Sequence, residues 1–350
     1  MSRRGTAVYV GVMLVMISEN VHRDHGCRLQ ALAPDAAWLR LQDDGTLRLG
    51  DDVVEATGLG PDVAFISNDV FYGPVRKCFE LLEAWPSLEW VQSAAAGTEA
   101  PLYRTLIGRN CRVTRAHVTA VPIAEYVLRA VLTHFQEPHR LVEQQAAHVW
   151  KHQPFREVSR SRWLVVGLGS IGGEVATRAR AFGAHVVGVR RSVARGDERV
   201  DELCTPGEML AQAPLADVVV LAAAGGDETR NMIGREFLEQ MKPGSAFVNV
   251  ARGYMVDEVA LLEALDRGVP EIAILDVFAT EPLPVDSRFW DHPRVVVSPH
   301  SSGGGDGRIQ RAVDVFAENL QRWQRGGQLL HEITESDLPA KPETWVSEKR

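Results

Sequence analysis

Arg252, Glu281 and His300 each stand a short way past an apolar run: Ser245–Val250, the strand-like Ile272–Leu275, and Arg294–Val297. A cation, a carboxylate and an imidazole so placed suit one chemistry. A guanidinium is a planar fork that matches a carboxylate and polarises a neighbouring carbonyl. An imidazole lends and recovers a proton near neutrality, and a carboxylate beside it favours the imidazolium, ready to protonate a developing alkoxide. The three together fit reduction of a 2-keto acid, given a hydride source. Singly they have duller readings, as a surface ion pair or a loop hydrogen-bonder. What gathers them is a rule of open parallel sheets, whose ligands lie beyond the carboxyl ends of the strands.

A hydride source is implied upstream. Gly167-Leu168-Gly169-Ser170-Ile171-Gly172 follows the apolar run Trp163–Val166 and opens the helix-like stretch Glu174–Phe182, with a second strand at His185–Val189. This is G-x-G-x-x-G between strand and helix. The first Gly allows the tight turn, the second lets backbone approach a pyrophosphate, and the third lets the helix pack on the strand. The helix N-terminus supplies N–H groups and a positive dipole end for the phosphates. The second strand then ends in Arg190-Arg191-Ser192, where an NAD site usually has a carboxylate for the ribose 2′-hydroxyl. Two guanidiniums and a hydroxyl suit a 2′-phosphate, so NADP (NADPH) is favoured over NAD.

The elements that must position these residues read as strand–helix alternation. Val63–Ile66 and Leu88–Gln92 read as strands around a helix at Val75–Trp85, and Ser93–Gly97 as a small-residue turn. One long helical stretch runs from Ile123 to about Trp150, with few breakers before Pro138. Beyond the Gly turn, strands at Asp217–Ala222, Ser245–Val250, Ile272–Leu275 and Arg294–Val297 alternate with helices at Arg235–Met241 and Asp257–Asp266. A terminal helix, Ile309–Arg325, repeats Ile309, Val313, Phe316 and Leu320 at helical spacing. Such alternation predicts α/β architecture with parallel sheets covered by helices.

The 350 residues, 45% of them hydrophobic and 24% charged, are ordinary for a globular chain with room for two domains. A net charge of −8 without long Lys/Arg blocks argues against nucleic acid as a partner. Cys27, Cys78, Cys111 and Cys204 are far apart, so neither a metal nor a disulfide framework is expected, and reduced thiols of a cytoplasmic enzyme are the reading. Ser2-Arg3-Arg4 before Ala7–Ile17 has the profile of a secretory signal, but no small-residue cleavage site follows. The run is also too short to span a bilayer. A buried first strand or an upstream extension is expected, with Met13 or Met16 as alternative starts.

At this point the chain resembles the D-isomer-specific 2-hydroxyacid dehydrogenase family, from about Val63 to Leu330. The residues carrying the resemblance are Gly167–Gly172, Val248-Asn249-Val250-Ala251-Arg252-Gly253-Tyr254-Met255-Val256-Asp257-Glu258, Asp276–Pro284, Phe289–Pro293 and Ser298-Pro299-His300. The resemblance implies that Arg252 binds the substrate carboxylate, that His300 is the acid/base and that Glu281 is its partner. It implies a substrate-binding turn at Ala95-Ala96-Gly97, Ala251 beside the cofactor, and Asp276 on the nicotinamide amide. It implies two Rossmann-like doubly wound lobes, the cofactor lobe inserted into a discontinuous, flavodoxin-like catalytic lobe. The expected bounds are 1–120 with 300–335 for the catalytic lobe, 121–299 for the cofactor lobe and 336–350 for a loose tail, with hinges near Val121 and Pro299. A homodimer through the cofactor lobe and its long helix is implied as well. Arg190 at the usual acidic position, Ala223-Ala224-Gly225-Gly226 in place of a Pro-containing turn, and the Gly-rich Ser302–Gly307 depart from the pattern. The first sixty residues match poorly.

Glyoxylate or hydroxypyruvate suits the small side chains of Ala94, Ala95 and Ala96, although bulkier 2-keto acids fit the same three residues. Formate dehydrogenases carry Gln where Glu281 stands. Phosphoglycerate dehydrogenases would want NAD and extra basic residues for the substrate phosphate. A dehydrogenase-shaped NAD(P)-sensing binding protein is the alternative of another class.

Overall fold

The computed structural model describes residues 12–57, 59–95, 97, 100–191, 196 and 199–338; Ala96, Ser192 and residues 339–350 of the expected tail lie outside them. The chain divides into two compact units, one drawn from Met1–Val118 and Asp306–Arg350, the other Thr119–Gly305.

The strands of the first unit are, in chain order, β1 (Leu14–Ser18), β2 (Ala37–Leu41), β3 (Leu47–Leu49), β4 (Asp52–Val54), β5 (Val63–Ile66), β6 (Trp90–Ser93) and β7 (Arg112–Arg115). The described sheet runs Glu332–Ile333, β7, β6, β5, β1, β2, β3, β4. Despite the poor match of the first sixty residues, β1 is central. Its five residues are all buried, and it pairs parallel with β2 on one side and β5 on the other. A strand covered on both faces needs such a continuous apolar run.

The β2–β3–β4 edge departs from strand–helix alternation, since it is an antiparallel meander. The cause is local. Gly45 takes φ 83, the Asp44 carboxylate accepts from the Thr46 N–H, and Gln42 N–H closes the turn on Thr46 O. A left-handed turn of this kind reverses the chain within a few residues, too few for a helical crossover.

The helix Arg308–Gln324 returns the chain to this unit, burying Val313, Phe316 and Leu320 at the expected spacing. Phe316 stacks on Phe65 at 4.7 Å and on Trp90 at 5.3 Å. Gln92 and Asn319, both fully buried, hydrogen-bond across this packing at 3.0 Å. A paired amide at that depth fixes the helix in one register, because any slip leaves a buried polar group unmatched. The turn at Glu335–Asp337 and the packing of Leu338 on the core show that the start of the expected loose tail is built into the unit.

The second unit holds β8 (Arg162–Val166), β9 (His185–Val189), β10 (Glu202–Cys204), β11 (Val218–Leu221), β12 (Ala246–Asn249), β13 (Ile272–Leu275) and β14 (Val295–Val297). Their order is β10-β9-β8-β11-β12-β13-β14, every pairing parallel. From β8 the chain builds outward to β10, then crosses back to β11 and builds the other way. That reversal opens a crevice at the carboxyl ends of β8 and β11.

The helical stretch after Ile123 is two helices, Ala120–Gln136 and Pro138–Ala146. Glu137 between them is left-handed at φ 47, and Pro138, lacking an N–H, begins the second helix at the position that tolerates it. The first helix packs on Ser170–Ala181, the helix that follows the Gly turn. Gly305 and Gly303 of the Gly-rich stretch let their loop lie on its start, where added Cβ atoms would meet Pro122 Cβ at 2.6 Å and Thr119 Cγ2 at 3.2 Å.

Candidate active site

The Gly turn has the shape its sequence demands. Gly167 adopts φ 96, and a Cβ there would lie 2.4 Å from Ala223 Cα. A Cβ on Gly172 would lie 1.8 Å from the Gly167 carbonyl oxygen, so helix and turn are in direct backbone contact. Around Gly169 the same test meets nothing within 4 Å. Gly169 caps the helix from Ser170 and, as glycine, brings no side chain of its own to the cap. Open space over the N-terminus of a helix is what a pyrophosphate requires, and the turn fits a dinucleotide on that ground. Leu168 and Ile171 point the other way and pack against the core.

At the end of β9, the Arg190 N–H donates to Cys204 O, extending the edge towards β10. The Arg191 guanidinium pairs with Glu228, Nη1 to Oε1 at 2.6 Å. Ser192 lies outside the described residues.

Arg252, Glu281 and His300 follow β12, β13 and β14, three strands adjacent in the sheet. The Asn249 side chain shapes the first of these loops, accepting from Ala251 N–H at 3.0 Å and donating to Arg252 O at 3.2 Å. Arg252 Nη1 donates to the Ala251 carbonyl at 2.8 Å. Gly253 then sits on the next loop so closely that a Cβ would lie 1.8 Å from the Phe278 carbonyl carbon. Glycine at 253 therefore couples the Arg252 loop to the loop that carries Glu281. Half-buried Glu258 braces the same junction, accepting the Ala279 N–H at 2.8 Å, and burial holds its carboxyl above the usual range.

Glu281 uses both oxygens. Oε1 accepts the Phe278 N–H at 3.1 Å, and Oε2 lies 2.8 Å from His300 Nδ1. The sequence pairing of these two residues is thus a direct contact. His300 itself has φ 50, a left-handed backbone that a non-glycine residue adopts only where its surroundings impose it.

Those surroundings centre on Asp276, which is buried. Its Oδ1 accepts from Ser298 Oγ at 2.6 Å, Ser301 N–H at 2.9 Å and Ser302 N–H at 3.0 Å. Oδ2 accepts from Ser302 N–H at 3.1 Å and from the Ser302 hydroxyl, and the Asp276 carbonyl accepts the His300 N–H at 2.8 Å. Tyr126, from the helix Ala120–Gln136, joins through Ser298 Oγ at 2.8 Å. The carboxylate expected on the nicotinamide amide is therefore engaged on both oxygens by the His300 loop, and any contact with a cofactor would share them. Ser298, Ser302, Asn249 and Gly253 stand in the quoted motifs, but the sequence assigned them no role. Ser298 lies beside His300 in Ser-Pro-His, and Asn249 opens the Arg252 motif, so proximity was the available signal.

In the first unit, Ala95 follows β6, and its N–H donates to Ser93 Oγ at 3.1 Å, holding the turn together. Gly97 is described, whereas Ala96 is not. Among the described residues no cluster of His, Cys, Asp or Glu could hold a metal ion, and no helix is long and apolar enough to cross a membrane.

Comparison with known proteins places this arrangement. The profile described as D-isomer specific 2-hydroxyacid dehydrogenase, NAD binding domain, matches residues 128–302. The chain belongs to that family. It is 35% identical over 247 residues to D-3-phosphoglycerate dehydrogenase of Mycobacterium leprae, covering 69% of this chain and 46% of that one. It thus spans about half the length of the phosphoglycerate dehydrogenases it matches. It is 32% identical over 257 residues to glyoxylate reductase of Korarchaeum cryptofilum, covering 71% of this chain and 76% of that one. Among solved structures, a D-isomer specific 2-hydroxyacid dehydrogenase of Xanthobacter autotrophicus, in complex with NADPH and MES, superposes with a TM-score of 0.69 at 27% identity, covering 92% and 98% of the two chains.

Proposed function

We propose that the protein is an NADPH-preferring reductase that converts a small 2-keto acid, of the glyoxylate or hydroxypyruvate kind, to the D-2-hydroxy acid. The observation that carries the reading is the Glu281–His300 contact, with Arg252 after the neighbouring strand, at three adjacent strand ends of a family dinucleotide fold. When bound, the reduced nicotinamide supplies the hydride. Arg252 receives the substrate carboxylate in its fork and draws electron density from the keto oxygen. His300, with Nδ1 engaged by Glu281, presents Nε2 and protonates the alkoxide as it forms. The positive charge on Arg252 and the negative charge on Glu281 divide the work, one holding substrate and the other holding the ring through Nδ1. The Gly167–Gly172 turn holds the pyrophosphate, Arg190, Arg191 and Ser192 the 2′-phosphate, and Ala251 the nicotinamide side. The turn Ala95-Ala96-Gly97 is the substrate-binding turn that the family resemblance implies.

The NADPH complex of the Xanthobacter relative and the absence of a carboxylate at Arg190 support the cofactor preference. Self-association through the second unit is part of the same reading. Leu141, Val142, Val149, Trp150 and Phe155 are exposed around Pro138–Ala146, with the Trp150 side chain fully so. Apolar side chains gathered in this way are usually covered in an assembly.

The test is steady-state reduction of glyoxylate, hydroxypyruvate, 3-phosphohydroxypyruvate and a bulkier aliphatic keto acid with NADPH and with NADH. Preferred NADPH-linked turnover of the two small acids is expected. Turnover confined to the phosphorylated acid with NADH would transfer the chain to the phosphoglycerate branch. Tight cofactor binding without turnover of any acid would favour the sensing alternative.

A further inference from the structure

Two loops flank the Gly turn, one after β9 and one after β11, because β8 lies between those strands in the sheet. An ion pair joins them. Arg191, two residues past β9, meets Glu228, which belongs to the turn Asp227–Thr229 beyond β11. That turn is well braced: Thr229 Oγ1 accepts the Gly226 N–H at 3.0 Å and donates to the Gly226 carbonyl at 2.7 Å. The Glu228 carboxylate folds back over Gly226, where an added Cβ would lie 2.5 Å from Oε2. Its own N–H and the Arg191 guanidinium hold this carboxyl below the usual range, so it is an anion at neutral pH.

A carboxylate and a 2′-phosphate make the same demand on a guanidinium, and a guanidinium engaged by one is less available to the other. We propose that Glu228 is a specificity-determining residue that competes with the cofactor's 2′-phosphate for Arg191. This rests on the reading that Arg191 meets that phosphate. Binding NADPH then requires the Arg191–Glu228 pair to open or to turn aside, and leaves Glu228 near a second anion. Binding NADH requires neither. Glu228 therefore weakens NADPH selectively, and the chain's cofactor preference is smaller than its two arginines alone would give. Both side chains are mostly exposed, 68% for Arg191 and 55% for Glu228, so substitution leaves the fold intact and the expected effect is modest.

The experiment is calorimetric titration of 2′,5′-ADP and 5′-ADP into the unaltered protein, Glu228→Gln, Arg191→Gln and the double variant, at low ionic strength. Glu228→Gln is expected to tighten 2′,5′-ADP about three- to fivefold, the size of an exposed ion pair, and to leave 5′-ADP unchanged. In the Arg191→Gln background the gain should shrink. If the unaltered protein prefers 2′,5′-ADP and Arg191→Gln reduces that preference, yet Glu228→Gln changes nothing or tightens both nucleotides alike, the role of Glu228 is overturned while the cofactor reading stands. Equal binding of the two nucleotides, indifferent to Arg191→Gln, overturns both.

Discussion

Oε2 of Glu281 lies 2.8 Å from Nδ1 of His300, while Oε1 of the same carboxylate accepts the Phe278 N–H at 3.1 Å. The carboxylate is thus anchored by its own loop before it meets the ring. An anchored acceptor at Nδ1 selects the tautomer and the ring plane, and leaves Nε2 as the nitrogen that trades a proton in the proposed reaction. The left-handed backbone of His300 costs on the order of 1 kcal/mol or more, which the hydrogen bonds of its loop offset.

Glu281→Gln keeps the size of the side chain and removes its charge. The amide offers Nδ1 no charged acceptor to orient the ring, so kcat for keto-acid reduction should fall roughly a hundredfold, within the range general acid catalysis contributes. Cofactor affinity, measured by quenching of tryptophan fluorescence, should stay within about twofold, since the loss is an electrostatic one at the ring. Glu281→Asp should recover part of the rate. Unchanged kcat in the Gln variant removes Glu281 from the mechanism.

Arg252→Ala should lower kcat/KM by two to four orders of magnitude, because two charge-assisted hydrogen bonds of about 1.5–3 kcal/mol each are lost together. Lys should restore only part, as an ammonium cannot match the carboxylate bidentately. The split is informative. Loss of a pure anchor raises KM alone, whereas loss of carbonyl polarisation lowers kcat as well, and both are expected here. An alanine variant of near-normal efficiency would falsify the assignment of Arg252 to substrate.

Arg252, Glu281 and His300 were legible in the sequence because each follows an uninterrupted apolar strand, and sheet topology sends such ends to one edge. The Gly turn was legible for the same reason, its spacing being dictated by backbone contacts that tolerate no Cβ. The meander at β2–β4 was not, because its information lies in one Asp-Gly turn and three short strands without clear alternation. Nor was the pairing of Glu228 with Arg191. Its partner is thirty-seven residues away, and only the fold reveals that β8 separates their strands. Asp276 was named for the nicotinamide amide, and its hold on the His300 loop was not foreseen. A carboxylate at a strand end reads equally well as a cofactor ligand or a loop clamp until its donors are seen.

Those donors make Asp276 a testable clamp. Asp276→Asn converts one acceptor oxygen into an amide donor facing the Ser298 hydroxyl and the N–H groups of Ser301 or Ser302. Unsatisfied or opposed buried groups of this kind cost about 1–3 kcal/mol each, so the thermal midpoint should fall by several degrees. The His300 loop should loosen as well, lowering kcat with little change in KM. Ser302→Ala, which removes one hydroxyl and leaves the N–H bonds, should show the same pattern at smaller size. A variant with normal stability but weakened cofactor binding would return Asp276 to the nicotinamide.

Acid should destabilise the first unit through His117. Its ring packs edge-on against His331 at 4.7 Å, and burial, followed by the nearby charge of Arg115 and then His331, lowers its pKa to about 4 from 6.5. His331 is lowered too, by burial first and then by Arg115. The unfolded chain takes up a proton on His117 below pH 6.5, whereas the folded chain refuses it until pH about 4. Stability is therefore fully present above pH 6.5 and declines as the pH falls towards about 4, where the decline from this residue ends. At about 1.4 kcal/mol per pH unit the loss from His117 is at most about 3.5 kcal/mol, and less where residual exposure screens the ring. His117→Phe preserves an edge-to-face aromatic pair and cannot take up a proton, so it should flatten the decline between pH 6.5 and 4.5. Urea midpoints of the two proteins at half-unit pH steps measure this directly. Parallel curves for His117→Phe and the unaltered chain would assign the acid sensitivity to other groups.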